Sequence, residues 1–248
     1  MAYGKRQTYQ LRTADFDAFG HVKPSAVLDV CQDCAGQNAE DMPGMDFESM
    51  KRRGLIWVVT RLAYDVDKQP VLHEVVEVET WPLAPTRKGF QREYAVRGKE
   101  GQTLIRGSSE WVVMSFEERK LVSGRDFAAG TNGETEGDLY RDDVALGRRL
   151  RKLAVFEARG AGHPVRAEAS DMDVNGHVNN ARYADWGLDA LSPGPDEVIS
   201  GVQMDFRREL RVGEALRVHV LREKRAATVM GVKCDGGEVS FAMHVEFA

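Results

Sequence analysis

Apolar positions along this chain follow a helical rhythm and then a strand rhythm, and the pair occurs twice. The stretch "PSAVLDVCQDCAGQNAE" opens on a proline suited to a first helical turn and sets Val27, Val30, Cys31, Cys34 and Asn38 on one face before "MPG". That pattern predicts a helix from Pro24. A second helix is expected at Asn179 and Asn180, whose side-chain oxygens suit a cap. It carries Tyr183, Trp186, Ala190 and Leu191 as an apolar stripe until "SPGP" breaks the run.

Four β-rich stretches follow each helix. The first half offers "LIWVVTRLAYDV", "EVVEVETWP", "GFQREYAV" and "LIRGSSEWVVMSF". The second offers "VISGVQMDF", "EALRVHVLRE", "AATVMGVKC" and "VSFAMHVEF". The lead-in to each helix repeats as well: "ADFDAFGHV" and "SDMDVNGHV" share Asp-x-Asp-x-x-Gly-His-Val. A lead strand, a helix and four strands, all repeated, predict an α+β fold in which an antiparallel sheet wraps one long helix. This is the hotdog layout, and two copies make a double hotdog. The expected boundaries are an N-terminal repeat at 1–116, a linker at 117–156 and a C-terminal repeat at 157–248. The linker is rich in charge and glycine, and some helix is expected near Arg141 to Leu153.

Composition narrows the options. With 42% hydrophobic and 29% charged residues, the 248-residue chain suits a folded protein. A net charge of -5 does not favour nucleic acid. No apolar run approaches the roughly 20 residues of a bilayer span, so no membrane partner is expected. The opening "MAYGKRQTYQLRTADF" has no signal core and no transit character, from which a cytoplasmic location is expected. Cys31 and Cys34 have C-x-x-C spacing, but they share the helix's apolar face and lack a second ligand pair. They are read as core, and no metal is expected.

Asp173, Asn175 and His177 alternate, so on extended backbone their side chains share a side. They directly precede a helix whose first free amides, near Val178 to Ala181, carry partial positive charge. A carboxylate, an amide, an imidazole and a helix start can orient water, take its proton and stabilise an oxyanion. Asp-x-Asn-Gly is equally ordinary turn chemistry, with His177 a bystander. The spacing leaves both readings open. In the first copy Phe19 stands for Asn175, and Lys23 and Pro24 stand for Asn179 and Asn180. Such a difference fits a division of labour in which the second half reacts and the first lines an apolar pocket; it also fits plain packing by Phe19. Glu209 follows the strand "VQMDF" and becomes a second proton-handling group if the sheet folds back over the helix start. Its first-half counterpart is Asp67.

The run "DMDVNGHVNNARYADW" resembles the D-x-D-V-N-x-H-V-N-N-x-x-Y-x-x-W signature of plant and bacterial acyl-[acyl carrier protein] thioesterases. "LIWVVTRL", "VVEVETWP", "GSSEWVVMSFEERKL" and "FRREL" resemble further segments of that family, in order from about Tyr9 to Phe247. The resemblance implies a cofactor-free double hotdog enzyme that hydrolyses fatty acyl-acyl carrier protein, releases the free fatty acid and terminates fatty acid synthesis. It carries catalysis onto Asp173, Asn175, His177 and Glu209. It places the acyl chain in the first hotdog, where Val27, Trp57 and Val59 are expected to line the pocket; Asn179 and Asn180 are expected to contact substrate. Many plant members have a cysteine directly after the glutamate, and here that position is Leu210, so no thiolate can act there. Carrier proteins of this type are acidic, which makes Lys51 to Arg53, Arg87 and Lys88, the linker's "RRLRK", and Arg207 and Arg208 candidate docking patches.

Three rivals stand beside this reading. An acyl-coenzyme A thioesterase would use the same site. A hotdog hydratase would space its Asp and His more widely and follow the asparagine with proline. A non-enzymatic acyl sensor would need a DNA-contacting module. One chain already supplies paired hotdogs, and association into a homodimer is left open.

Overall fold

The β-rich stretches are strands in the computed structural model, which describes residues 4–132 and 140–248. The first repeat runs β1 (Lys5–Gln10), α1 (Pro24–Glu40), α2 (Phe47–Arg52), β2 (Leu55–Val66), β3 (Val75–Pro82), β4 (Phe90–Arg97), β5 (Thr103–Ser115), β6 (Leu121–Val122) and α3 (Gly124–Asn132). The second runs β7 (His163–Arg166), α4 (Asn180–Leu191), β8 (Ile199–Phe206), β9 (Ala215–Arg222), β10 (Ala226–Lys233) and β11 (Val239–Phe247). The first repeat pairs its strands antiparallel in the order β1-β3-β4-β5-β2, with β6 added to β5. The second pairs them β7-β9-β10-β11-β8, the same order position for position. The duplicated α+β hotdog is therefore present in topology as well as in sequence rhythm.

Two compact units result: Met1–Leu11, Val30–Lys68 and His73–Leu150 form one, and Arg12–Asp29, Gln69–Leu72 and Arg151–Ala248 form the other. They differ from the boundaries drawn at 116 and 157. Long-range contacts, invisible to a linear reading, assign Arg12–Asp29 to the second unit and the linker as far as Leu150 to the first. Residues 1–3 of the expected first repeat and 133–139 of the expected linker lie outside the described residues.

In the second unit, α4 packs on β9, β10 and β11. Its stripe buries Tyr183, Ala184, Trp186 and Leu191. Tyr183 meets Trp186, Phe241 and Phe206 with ring centroids 5.3, 5.4 and 6.0 Å apart. Gly187 permits this approach, since a Cβ there would stand 2.7 Å from the Met243 sulfur. In the first unit, Trp57, Phe90 and Phe127 form a cluster of edge-on rings at 4.9 to 5.9 Å, with Met42, Met45 and Met50 around them. Such ring pairs add about 0.5–1.5 kcal/mol each beyond area burial. Cys31 and Cys34 are free and buried among α1's apolar contacts, and Cys34 directs its thiol to the Val78 carbonyl at 3.5 Å. Burial pushes the Cys34 thiol up to about 11, which keeps it protonated.

The helix expected near Arg141 to Leu153 is absent; that segment is irregular, and helix appears instead at α3. The cause lies in the sheet. Glu93 accepts the Ala145 and Leu146 amides at 2.8 and 3.2 Å, and Gly147 takes φ +71°. Leu146 and Leu150 are buried with Ala63. Arg141 lies 3.9 Å from the Trp81 ring centroid and pairs with Glu79 at 2.8 Å. Tertiary partners take the backbone donors that a helix would have used.

Candidate active site

The segment from Asp173 to His177 is a tight turn rather than extended strand. The Asp173 amide donates to the His177 carbonyl at 2.7 Å, and the Gly176 amide to the Asp173 carbonyl at 3.0 Å. Gly176 supplies φ +74°, a conformation glycine enters without steric cost. Met172 and Val178 form a bridge across the neck. Asp173 Oδ1 accepts the Asn175 and His177 amides at 2.8 and 3.2 Å, while Oδ2 receives only the Asn175 side-chain amide at 3.4 Å. One carboxylate oxygen of Asp173 thus holds the loop, while the other meets only the Asn175 side chain. The turn, not strand alternation, brings the Asn175 side chain and the His177 amide onto the Asp173 carboxylate.

The neighbouring acid of the motif has a different task. Asp171 accepts the Glu168 amide on its side chain at 2.8 Å and the Asn179 amide on its carbonyl at 2.8 Å. Asn179 is the helix cap, its Oδ1 taking the Ala181 amide at 2.9 Å, and Asn180 is the first residue of α4. Asn179 therefore spends its side-chain oxygen on the helix start, as the expected cap.

Glu209 lies beyond β8 and is brought back to the helix start. The Val178 amide donates to the Leu210 carbonyl at 2.9 Å. The Leu210 amide donates to the Tyr183 hydroxyl at 3.1 Å, and Ser240 Oγ donates to the Arg208 carbonyl at 2.6 Å. So held, Glu209 Oε2 stands 3.4 Å from His177 Nε2. His177 is 14% exposed at its side chain and Glu209 36%. Burial pushes the Tyr183 phenol far above the ordinary range, so it serves as a neutral anchor. Sequence reasoning treated Tyr183 only as apolar stripe; its place one turn into α4, behind the Asn-Asn pair, was the available signal.

The first copy builds the same turn without the same outcome. Asp17 Oδ1 accepts the Phe19 and His21 amides at 2.8 and 2.9 Å, and His21 Nδ1 lies 3.5 Å from Asp17 Oδ2. The counterpart of Glu209 is consumed elsewhere: Asp67 makes two bonds of 2.7 Å to Arg106, which hold its carboxyl below the usual range.

Within the first unit, a mainly apolar cavity of about 130 Å³ is bounded by Ala35, Gly36, Ala39, Met45, Trp57 and Arg92, among others. Of the three residues expected to line a pocket in the first hotdog, Trp57 borders this cavity. Val27 and Val59 are buried, at 2% and 5% exposure, but neither belongs to this wall. The space opens where α1 carries small side chains, which strand alternation along β2 cannot reveal. A larger polar cleft of about 590 Å³ in the same unit gathers Lys88, Arg148 and Arg149 with Arg61, Glu93 and Glu110. Two of the basic patches nominated from sequence therefore share one cleft. Arg207 and Arg208 do not form a free patch: Arg207 donates to the Leu153 carbonyl at 2.6 Å, and Arg208 pairs with Glu238 at 3.1 Å. Among the described residues, no group of three or more His, Cys, Asp or Glu is placed to hold a metal ion, and no helix is long and apolar enough to cross a membrane.

Comparison with known proteins identifies the family. The family described as Acyl-ACP thioesterase N-terminal domain matches residues 3–126, and Acyl-ACP thioesterase C-terminal domain matches 157–247. A palmitoyl-acyl carrier protein thioesterase, chloroplastic, of Arabidopsis thaliana is 32% identical over 97% of this chain and 58% of its own length. A dodecanoyl-[acyl-carrier-protein] hydrolase, chloroplastic, of Umbellularia californica is 28% identical over 93% of this chain and 62% of its own. The chain thus spans about three fifths of these two relatives. Among solved structures, the 12:0-ACP thioesterase from Umbellularia californica superposes with TM-score 0.84 at 27% identity, over 100% of this chain and 98% of that one. An acyl-ACP thioesterase from Bacteroides thetaiotaomicron shares the fold with TM-score 0.87 at 24% identity, over 99% and 98% of the two chains. By sequence across both repeats and by fold, the chain belongs to the acyl-ACP thioesterase family.

Proposed function

We propose that this chain hydrolyses the thioester of fatty acyl-acyl carrier protein, releasing free fatty acid and so terminating fatty acid synthesis. The observation that carries the reading is the meeting of His177 with Glu209 at 3.4 Å beside the Asp173 turn and the start of α4. The Asn175 side-chain amide and the first amides of α4 polarise the thioester carbonyl and stabilise the oxyanion. Asp173 Oδ2 takes a proton from water as its oxygen bonds to the acyl carbon. Collapse of the tetrahedral intermediate breaks the carbon–sulfur bond. His177, oriented by Glu209, passes a proton to the departing thiolate. No step requires a cofactor.

The reading divides the labour as the sequence suggested: the C-terminal repeat reacts and the N-terminal repeat houses the acyl chain. The cavity beside Trp57 supports the second half of that statement. Carrier protein is the favoured partner because it is acidic, and the cleft lined by Lys88, Arg148 and Arg149 presents more basic than acidic groups to it. A cytoplasmic location belongs to the same proposal, although the named plant relatives are chloroplastic.

The test is hydrolysis of acyl carrier protein esters beside matching coenzyme A esters, with Asp173→Asn as control. Carrier esters are expected to be cleaved with the higher kcat/KM. Asp173→Asn is expected to lose about 10²–10⁴-fold in kcat with an unchanged melting temperature. Equal or better turnover of coenzyme A esters would move the assignment to the rival thioesterase. A fully active Asp173→Asn protein would remove the mechanism.

A further inference from the structure

The cavity of the first unit contains a charge that the proposed reaction does not use. Arg92 on β4 is 8% exposed and lines the cavity among apolar neighbours. Its guanidinium is served only by neutral groups. Nη1 donates to Asn38 Oδ1 at 2.8 Å and to Thr80 Oγ1 at 3.2 Å, and Nη2 lies 4.0 Å from the Met42 sulfur. Among the described residues, no carboxylate stands within ion-pair distance of it. Burial lowers its proton affinity, yet an arginine side chain stays charged at any physiological pH. Of five guanidinium N–H donors, these neighbours engage three, one of them only through a weak sulfur contact.

Gly36, an exposed residue, borders the open side of the cavity. A Cβ at Gly36 would meet nothing within 4 Å, so packing within the protein does not demand glycine there. Glycine in a helix interior costs about 1 kcal/mol relative to alanine. At about 130 Å³, the cavity is close in size to an engineered apolar cavity of about 150 Å³ that takes benzene, room for the end of a chain.

A buried cation with unfilled donors discriminates by what is placed against it. A methyl-ended chain offers no acceptor and strips away whatever solvent serves the guanidinium, which is costly for a charge. A chain bearing an oxygen at the same depth supplies the acceptor. Sites that hydrogen-bond a substrate oxygen reject the analogue lacking it far more strongly than apolar pockets reject an extra methylene. We propose that Arg92 determines specificity for the distal end of the acyl chain, favouring chains that carry an oxygen acceptor there over methyl-ended chains of equal length. The proposal rests on the hydrolase reading and on the N-terminal repeat housing the acyl group.

The experiment uses carrier protein esters in matched pairs, methyl-ended and ω-hydroxy, over a series of lengths. At the lengths that fill the cavity, the native protein is expected to favour the ω-hydroxy ester at least about tenfold in kcat/KM. In Arg92→Met the ratio is expected to fall towards one, and Arg92→Lys, which keeps a cation, is expected to restore part of it. Gly36→Leu places apolar bulk in the cavity and is expected to erase the ratio at the same lengths. A ratio near one in the native protein at every length overturns the proposal, as does an unchanged ratio in Arg92→Met. Should Arg92→Met fail to fold, an unchanged ratio in Gly36→Leu overturns it instead. If no ester of either kind is cleaved, the hydrolase reading fails separately. Calorimetric binding of the matched free fatty acid and ω-hydroxy fatty acid then still reads the preference, and equal affinities overturn it.

Discussion

His177 Nε2 and Glu209 Oε2 lie 3.4 Å apart although one precedes α4 and the other follows β8. The helix and a strand separate them in sequence, and backbone bonds from Val178 and Leu210 close the gap. Groups that act as one unit give losses that do not multiply. His177→Ala and Glu209→Gln are each expected to lower kcat/KM by about 10²–10³-fold. The double variant is expected to fall within about tenfold of the worse single one. Losses that multiply fully would show that the two groups do not cooperate.

In the proposed mechanism Tyr183 is a positioning residue, since its hydroxyl holds the Leu210 amide next to Glu209. Tyr183→Phe removes the acceptor of the Leu210 amide and leaves that buried donor unpaired. The expected cost is about 1–3 kcal/mol of stability by denaturant titration. Because the segment bearing Glu209 is loosened, kcat is expected to fall several-fold while KM stays close to native. A lowered stability with native kcat would mark the hydroxyl as structural only.

Phe19 and Asn175 occupy matching places in the two turns. Phe19 is 49% exposed, and the acid that corresponds to Glu209 is locked to Arg106 in the first copy. Phe19→Asn is therefore expected to leave kcat within about twofold of native, as surface changes away from special features usually do. Asn175→Phe is expected to cost about 10²-fold in kcat, the typical loss of one oxyanion donor. Steady-state kinetics on one ester checks both. Comparable losses from the two changes would contradict the division of labour.

Glu79 predicts an acid-sensitive step in the first unit. Burial alone would raise its carboxyl, but Arg141, Arg97 and Arg6 outweigh burial and hold it below the ordinary value of 4.5. A depressed folded value means that the stabilisation is fully present above the unfolded value and is lost as pH falls through the folded one. Glu79→Gln is expected to be about 2 kcal/mol less stable at neutral pH, the scale of hydrogen bonds to a charged group. The gap is expected to narrow as pH drops below 4.5. Denaturant titrations at neutral and acidic pH measure it, and a gap of constant size would refute the linkage.

The basic cleft supplies a further expectation for the carrier partner. Lys88→Glu with Arg149→Glu is expected to raise KM for carrier esters while leaving coenzyme A esters little changed, with the difference shrinking in high salt. Equal effects on both ester types would place carrier docking elsewhere.

The sequence by itself determined the local alternatives. Period and caps placed α1 at Pro24 and α4 behind Asn179, and strand rhythm placed β2 and β11 to the residue. The repeated Asp-x-Asp-x-x-Gly-His-Val frame located both turns, because a turn's bonds span only a few residues and its residue types carry them. Tertiary structure decided whatever depends on partners distant in sequence. The segment from Arg141 to Leu153 has helical composition but yields its amides to Glu93 and its leucines to Ala63. Lys88 and Arg149 share a cleft that no linear reading joins. Trp57 faces open space while Val59 does not, because small residues on α1, not those on the strand, leave the room. Short-range hydrogen bonds and periodicity are written in neighbouring letters; cavities, ion pairs and cooperating acids exist only where the folded chain returns upon itself.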